Sequence, residues 1–452
     1  MNSVPAPAPT SRPAPKAHFG SRLPFFYGWV VVGIAFITMA ISVNARTSFS
    51  LLFPPILDEF GWARGTIAAT FSIGFVVSTV MTPFIGALMD RFGPRIVLPL
   101  GGVLTSVGLV TSIYSTEPWH FYITLGVLVV GGSVFMSYIG HTLFVPNWFD
   151  RKRGLAVGLA FSGVGVGSIL IFPWMQHAIQ TEGWRFSAVV IAIVILVIIV
   201  PLNAIFQRHR PRDLGLEPDG GSIGDETANS SAKVDRENRI VDAEWLETEW
   251  TVSKAIRTSR FWWLALSFVS SLYAWYAVQV HQTRYLIDVG ISAEVAAVAL
   301  GLVGLTGIVG QIAVGALSDR IGREMAWSFA LLGFLLTYAC LFILRDHPSE
   351  WLMYVMVGLQ GFIGYGMASV FGVVPADLFS GKNYGSIFGV LGAVSSAGAA
   401  IGPWATGVLF DIWGNYENAF VIAMVICAIS IAAMWLAGPR KVILTAGQAR
   451  KP

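Results

Sequence analysis

The chain has 452 residues, of which 55% are hydrophobic and only 12% charged. A water-exposed domain carries about 25% charged residues, so a soluble globular fold is excluded and the apolar excess has to face lipid. The net charge of +3 comes from basic residues scattered through short loops, which leaves no basic stripe for nucleic acid.

In chain order, residues 1–24 are rich in Pro and Ala and precede the first long apolar run without a short apolar core and small-residue cleavage site. They read as a disordered cytoplasmic tail. Apolar runs of about 20 residues follow, each long enough to cross roughly 30 Å of hydrocarbon as a helix. Spans are predicted at 27–53, 65–89, 95–115, 119–146, 154–179 and 185–206, then at 261–286, 293–318, 325–344, 351–375, 384–410 and 417–438. The organisation expected is a six-helix bundle over 25–206, a cytoplasmic linker over 207–260, a second bundle over 261–438 and a tail over 439–452. The linker centre, GGSIGDETANSSAK, cannot build a core. Its end, Trp250 to Arg260, reads as a short surface helix with Ser253 as cap. Cys340 and Cys427 both sit inside apolar runs and imply neither disulfide nor metal; no cofactor is implied.

Lysine and arginine set the orientation. With the N-terminus inside, Arg91, Arg95, Arg151, Lys152, Arg153, Arg320, Arg323 and Lys382 fall in cytoplasmic loops, and the outer loops keep Arg64, Arg185 and Arg345. That asymmetry predicts both termini in the cytoplasm; the membrane expected is the cell inner membrane. The halves also repeat. Gly86-Ala-Leu-Met-Asp90-Arg91-Phe-Gly93-Pro-Arg95 recurs 229 residues later as Gly315-Ala-Leu-Ser-Asp319-Arg320-Ile-Gly322-Arg323, Pro146 recurs as Pro375 at the same offset, and Pro173-Trp174 as Pro403-Trp404 at 230. Correspondences at nearly one spacing argue for duplication of a six-helix unit in parallel orientation.

The repeated G-x-x-x-D-R-x-G element resembles the loop signature of the major facilitator superfamily, and the resemblance covers nearly the whole chain. It implies twelve spans in two pseudo-symmetric bundles, an all-α membrane fold working by alternating access. It also implies a conformational latch of Gly86, Asp90, Arg91, Gly93, Arg95, Gly315, Asp319, Arg320 and Gly322, which helps to hold the outward-facing state. Finer features are Tyr27-Gly28-Trp29-Val30, Phe53-Pro54-Pro55-Ile56, Asn147-Trp148-Phe149, Ser162-Gly163-x-Gly165-x-Gly167 and Gly402-Pro403. Together they are similar to the bacterial monocarboxylate-porter and oxalate–formate-exchanger group. Where such relatives carry an arginine in span 8, this chain has Gln311. The small residues of spans 5 and 11 let helices pack backbone to backbone and are expected at the seam where the halves rock.

Ionisable residues inside spans are functional candidates by default, and here they are few. Arg46 lies on a face of span 1 with Thr38, Met39 and Ser42, while Asn44 points away. His141 aligns with Ser137 and Tyr138 in span 4; His281 and Arg284 share a face of span 7 with Tyr273, and Gln279 points elsewhere. No Asp or Glu lies well inside a span, so the cavity is expected to be electropositive and to prefer an anion. Arg46 and Arg284, from equivalent spans, are expected to approach each other across it. The substrate-contact candidates are Arg46, Ser42, Tyr138, His141, Tyr273, Tyr276, His281, Arg284, Gln311 and Tyr365, with His141 and His281 as the protonatable groups. Packing or interface roles stay open for each tyrosine, and snorkelling for each arginine. The leading function is transport of a small organic anion, a carboxylate by likeness, by one copy of the chain, with proton coupling, direction and exchange left open. Export of a hydrophobic or amphiphilic compound is the alternative. No nucleophile–base pair, metal spacing or phosphate loop supports an enzyme.

Overall fold

The computed structural model describes residues 25–149, 153–216, 239–379 and 383–449. The tail at 1–24, the linker centre, Arg151, Lys152 and Lys382 lie outside them, as does the side chain of Asp90. The described chain is helical and has twelve helices long and apolar enough to cross a membrane. Span 1 is Gly28–Thr47 and, after a turn residue, Phe49–Phe60. The others are span 2, Arg64–Phe92; span 3, Pro94–Ser112; span 4, 118–142; span 5, Arg153–Glu182; and span 6, Trp184–Phe206. The second half has span 7, Ser259–Asp288; span 8, Ala293–Ile321; span 9, Arg323–Asp346; span 10, 350–378; span 11, Tyr384–Trp413; and span 12, Glu417–Ala437.

Span 1 runs past its expected end. Pro54 and Pro55 are inside the helix, and the first terminal glycine, Gly61, adopts a left-handed cap. Gly93 and Gly322 in the repeated loops take φ of 70° and 101°, a region glycine enters without steric cost. Each ends one span and starts the next without slack. The expected surface helix is only Val252–Ala255, and its cap is Thr251, whose hydroxyl accepts from the Lys254 N–H. Ser253 lies inside the turn.

Spans 4 and 10 depart most from a straight helix. Span 4 passes into wide π-type turns at Tyr122–Gly131, then into tight 3₁₀ turns at Gly132–Met136, and breaks at Ser137 with extended backbone. Span 10 repeats the sequence with π turns at Leu359–Ile363 and 3₁₀ turns at Gly364–Gly366. At the 229-residue spacing the two disruptions end within one position of each other. Both are glycine-rich, and π-type turns inside helices concentrate at functional sites.

Each half has its own apolar core, one around Phe53, Phe121 and Trp148, the other around Phe268, Trp327 and Tyr338. Val280, Ala297, Leu300 and Ala399 of the second half are buried in the first core, so the halves are pressed together there. Close packing within each half comes from glycine. A Cβ on Gly167 would meet the Ala40 carbonyl oxygen at 2.1 Å, and one on Gly398 would meet that of Val269 at 1.9 Å. Ala40 and Val269 are 229 positions apart, so the same backbone contact joins span 5 to span 1 and span 11 to span 7. The expectation of a rocking seam is therefore corrected for Gly163, Gly167, Gly398 and Gly402, which pack inside their own halves. Gly165, against Ile308 and Gly304, and Gly407, against Gly65, do lie between the halves.

Candidate functional site

Arg46 is half-buried in the first helical segment of span 1 and forms no ion pair or hydrogen bond to any described residue. Its guanidinium lies 5.5 Å from the centre of the Phe75 ring of span 2. Phe75 meets Tyr276 of span 7 edge-on at 4.4 Å, and Tyr138 of span 4 lies within electrostatic range of both Arg46 and Tyr276. Tyr365 of span 10 is in turn within range of Tyr138 and Tyr276. It stacks on Trp275 at 4.1 Å, and its hydroxyl hydrogen-bonds Gln279 Oε1. Tyr138 packs edge-on against Phe161 at 4.8 Å. The spans thus bring Arg46, Tyr138, Tyr276 and Tyr365 together from both halves, one cation among rings. The disruption in span 10 places Tyr365, and Gly307 makes room for it: a Cβ there would meet its ring at 2.5 Å.

Other candidates are engaged elsewhere. Ser42 is fully buried and donates to the Met136 carbonyl at 3.0 Å, tying span 1 to the tight turns of span 4. Tyr273 is buried against Gly398 and Gly402. His141 is fully buried with Nδ1 2.9 Å from the Ser137 carbonyl, and its Nε2 has no partner among the described residues. The Gln311 carbonyl accepts from Ser369 at 2.6 Å. Gln279, which the helical wheel turned away from this face, is buried and accepts from the Tyr365 hydroxyl.

The expected approach of Arg284 to Arg46 is not observed. Arg284 Nη1 lies 2.5 Å from Asp58 of span 1, and Nε lies 2.9 Å from Asp288. Asp58 is twelve residues past Arg46, about 18 Å along a helix at 1.5 Å per residue. The repeat spacing explains the misreading: 229 residues beyond Arg46 stands Trp275, not Arg284.

Arg284 instead belongs to a closure between the halves at the end away from the termini. Arg64 donates to Asp288 at 2.6 Å and to the Tyr416 hydroxyl at 2.9 Å, and stacks 3.7 Å over Phe410. The Asp411 carboxylate of span 11 accepts from the backbone N–H groups of Arg64 and Gly65 at 2.9 and 2.7 Å, the favourable place for a negative charge on a helix. Ser50 donates to the Gln279 carbonyl at 2.7 Å, and Ser168 to that of Gly301 at 2.8 Å. Toward the termini, by contrast, an added Cβ on Gly86, Gly158, Gly385 or Gly389 would meet nothing within 4 Å.

The repeated loops lie at that second end. Arg91 and Arg95 are exposed, and Arg95 bonds the Ala204 carbonyl of its own half. Asp319 pairs with Arg323 at 2.7 Å, and Arg323 with Asp377 at 2.8 Å. Arg323, rather than Arg320, is the hub. Arg320 is exposed, and the tail glycine Gly447 lies against its backbone. Asp319 is satisfied within its own half.

The family model of the Major Facilitator Superfamily matches residues 35–369 and again 287–451. Among curated proteins, the chain is 27% identical over 405 residues to monocarboxylate transporter 13 of Bos taurus, covering 88% of this chain and 86% of the relative. It is 25% identical over 421 residues to monocarboxylate transporter 2 of Homo sapiens, covering 91% and 84%. Among solved structures it is similar in fold to a bacterial homologue of the human lysosomal transporter Spinster in an inward-facing, occupied conformation. That match has a TM-score of 0.65 at 14% identity and covers 91% of this chain and 96% of the other.

Proposed function

Because the chain belongs to the major facilitator superfamily and is a multi-pass membrane transporter, we propose that its cargo is a small organic monoanion, a carboxylate with an apolar body. The observation that carries this reading is Arg46. Guanidinium stays charged at any working pH, and a charge away from bulk water is costly unless paired. Arg46 has rings around it and no carboxylate partner among the described residues. A substrate carboxylate supplies the missing charge through the planar fork of the guanidinium, while Phe75, Tyr138, Tyr276 and Tyr365 accommodate an apolar body. The names of the curated relatives support the same class.

The mechanism proposed is alternating access about this cavity. Basic residues in the loops at the termini-bearing end support a cytoplasmic position for that end, and the membrane proposed is the cell inner membrane. The state described is then closed outside and open inside. In the opposite state the loops carrying Asp90 and Asp319 approach and latch, and the Arg64, Arg284 and Asp411 contacts separate.

Purified protein in liposomes tests the reading through uptake of short and aryl-substituted monocarboxylates. Arg46→Ala is expected to abolish saturable uptake, and Arg46→Lys to retain a weaker one. Unchanged carboxylate uptake by Arg46→Ala overturns it. The ring-lined wall also supports a second reading, export of a lipophilic compound. Transport indifferent to the anionic group, in wild type and Arg46→Ala alike, selects that one.

A further inference from the structure

At the closed end a histidine sits in a chain of hydrogen bonds whose polarity allows one protonation state. His281 of span 7 is fully buried. Its Nε2 is 2.8 Å from the Pro403 carbonyl of span 11, and its Nδ1 is 3.0 Å from the Tyr416 hydroxyl at the start of span 12. A carbonyl only accepts, so Nε2 carries a hydrogen and donates to Pro403. In the neutral ring Nδ1 is then an acceptor and takes the Tyr416 hydroxyl hydrogen. The Tyr416 oxygen keeps its lone pairs and accepts from Arg64 Nη1 at 2.9 Å, and Arg64 continues to Asp288. Every donor in the chain has an acceptor. Arg64 is the member contributed by the first half.

A second ring proton disrupts this order. Nδ1–H then points at the same oxygen that Arg64 already approaches, and the displaced Tyr416 hydroxyl hydrogen has no other acceptor among the described residues. The charged groups around the site come from every element packed on it. Span 1 supplies the Phe53 ring edge at 5.3 Å and, further out, Asp58. Span 2 supplies Arg64; span 7 supplies Arg284, Tyr285 and Asp288; span 11 supplies Asp411 beyond Pro403; span 12 supplies Tyr416 and Glu417. The carboxylates nearby are already engaged: Asp58 and Asp288 by Arg284 and Arg64, Asp411 by the start of span 2, and Glu417 by Arg345 of span 9. A new positive charge at His281 finds none free beside it.

We infer that His281 is a proton-binding site that controls closure at this end: neutral, it completes the link from the second half to Arg64, and protonated, it releases that link. Opening exposes the ring to water, which can then solvate the imidazolium. One proton taken up on opening shifts the equilibrium between the two states by at most tenfold per pH unit. Uptake on opening begins as pH falls below the range of a water-exposed imidazole, about 6.5, and so above that of carboxylates, about 4. This deepens the alternating-access reading above without depending on the identity of the cargo.

The test measures closure directly and without substrate. Spin labels on Glu182→Cys and His347→Cys, exposed positions of the two halves at this end, report the separation in lipid nanodiscs, with Cys340 and Cys427 replaced by Ala. The separated population is expected to grow as pH falls from about 8 to 5. His281→Gln offers one donor and one acceptor without titrating and is expected to stay closed across the range. Tyr416→Phe, which removes the middle of the chain, is expected to be more open at pH 8 and to lose most of the response. It also keeps the proposal testable should His281→Gln fail to fold. A wild-type chain indifferent to pH overturns the proposal. So does a full pH response in either variant. Arg46→Ala should keep the response, so failure of the carboxylate reading and failure of this one are separable.

Discussion

Gly167 and Gly158 lie in the same helix, nine residues apart, and only one of them tolerates a methyl group. In Gly167→Ala the new Cβ would sit 2.1 Å from the Ala40 carbonyl oxygen and 2.6 Å from Asn44 Nδ2, where contacts under 3.0 Å essentially never occur. The backbone of span 5 therefore has to retreat from span 1 by about 0.9 Å. Overpacking of this kind costs about 1–3 kcal/mol. Retreat also stretches the Asn44 side-chain bond across to the Val164 carbonyl of span 5 at 2.8 Å, worth about 0.5–1.5 kcal/mol. We expect a loss of about 2–4 kcal/mol. Gly398→Ala, with its Cβ 1.9 Å from the Val269 carbonyl, should lose a similar amount, because the second half repeats the contact. Gly158→Ala and Gly389→Ala meet nothing within 4 Å and should be neutral or slightly stabilising. Thermal unfolding in detergent, followed by size-exclusion recovery of heated samples, compares the four variants. Equal behaviour of the clashing and the open positions would refute the argument that backbone contact holds each half together.

Asp411→Asn keeps the shape of the group that caps span 2 but removes its charge. Asp411 is exposed, so the lower end of the range applies and closure should weaken by about 1.5 kcal/mol, roughly tenfold toward the state open at that end. Reaction of a cysteine in the closed seam with an impermeant reagent measures it, and an unchanged rate contradicts the capping role. Tyr365→Phe leaves the buried Gln279 oxygen without its hydroxyl while keeping the stack on Trp275. Loss of about 1 kcal/mol predicts a severalfold weaker apparent affinity in concentration-dependent uptake, and an unaltered affinity refutes a part for Gln279 in binding.

Arg46 was legible in the sequence because a cation on the polar face of an apolar helix has few other uses. Tyr138, Tyr276 and Tyr365 were legible as candidates but not as a group, since their convergence depends on how spans 4, 7 and 10 cross. Gln279 was missed. A straight-wheel reading turned it away with the wrong reference face, that of His281 and Arg284. The 229-residue repeat held the correction: it points from Arg46 to Trp275, and Gln279 lies one turn further along on the same face. Arg284 was misread for the same reason. Its role follows from the repeat only once Asp58 of the other half is known to meet it.

Residue order by itself determined the topology. Apolar runs of membrane length leave the backbone no partner but its own helix, and the duplicated loops with their glycines set the number and relation of the halves. The tertiary structure alone decided which side chains gather around Arg46, which polar groups hold the halves together and at which end. Those depend on contacts between helices hundreds of residues apart. Arg64 with Asp288 and Tyr416, and Asp411 at the start of span 2, are such contacts. No local pattern encodes them, because each partner taken alone looks like an ordinary charge at a helix end.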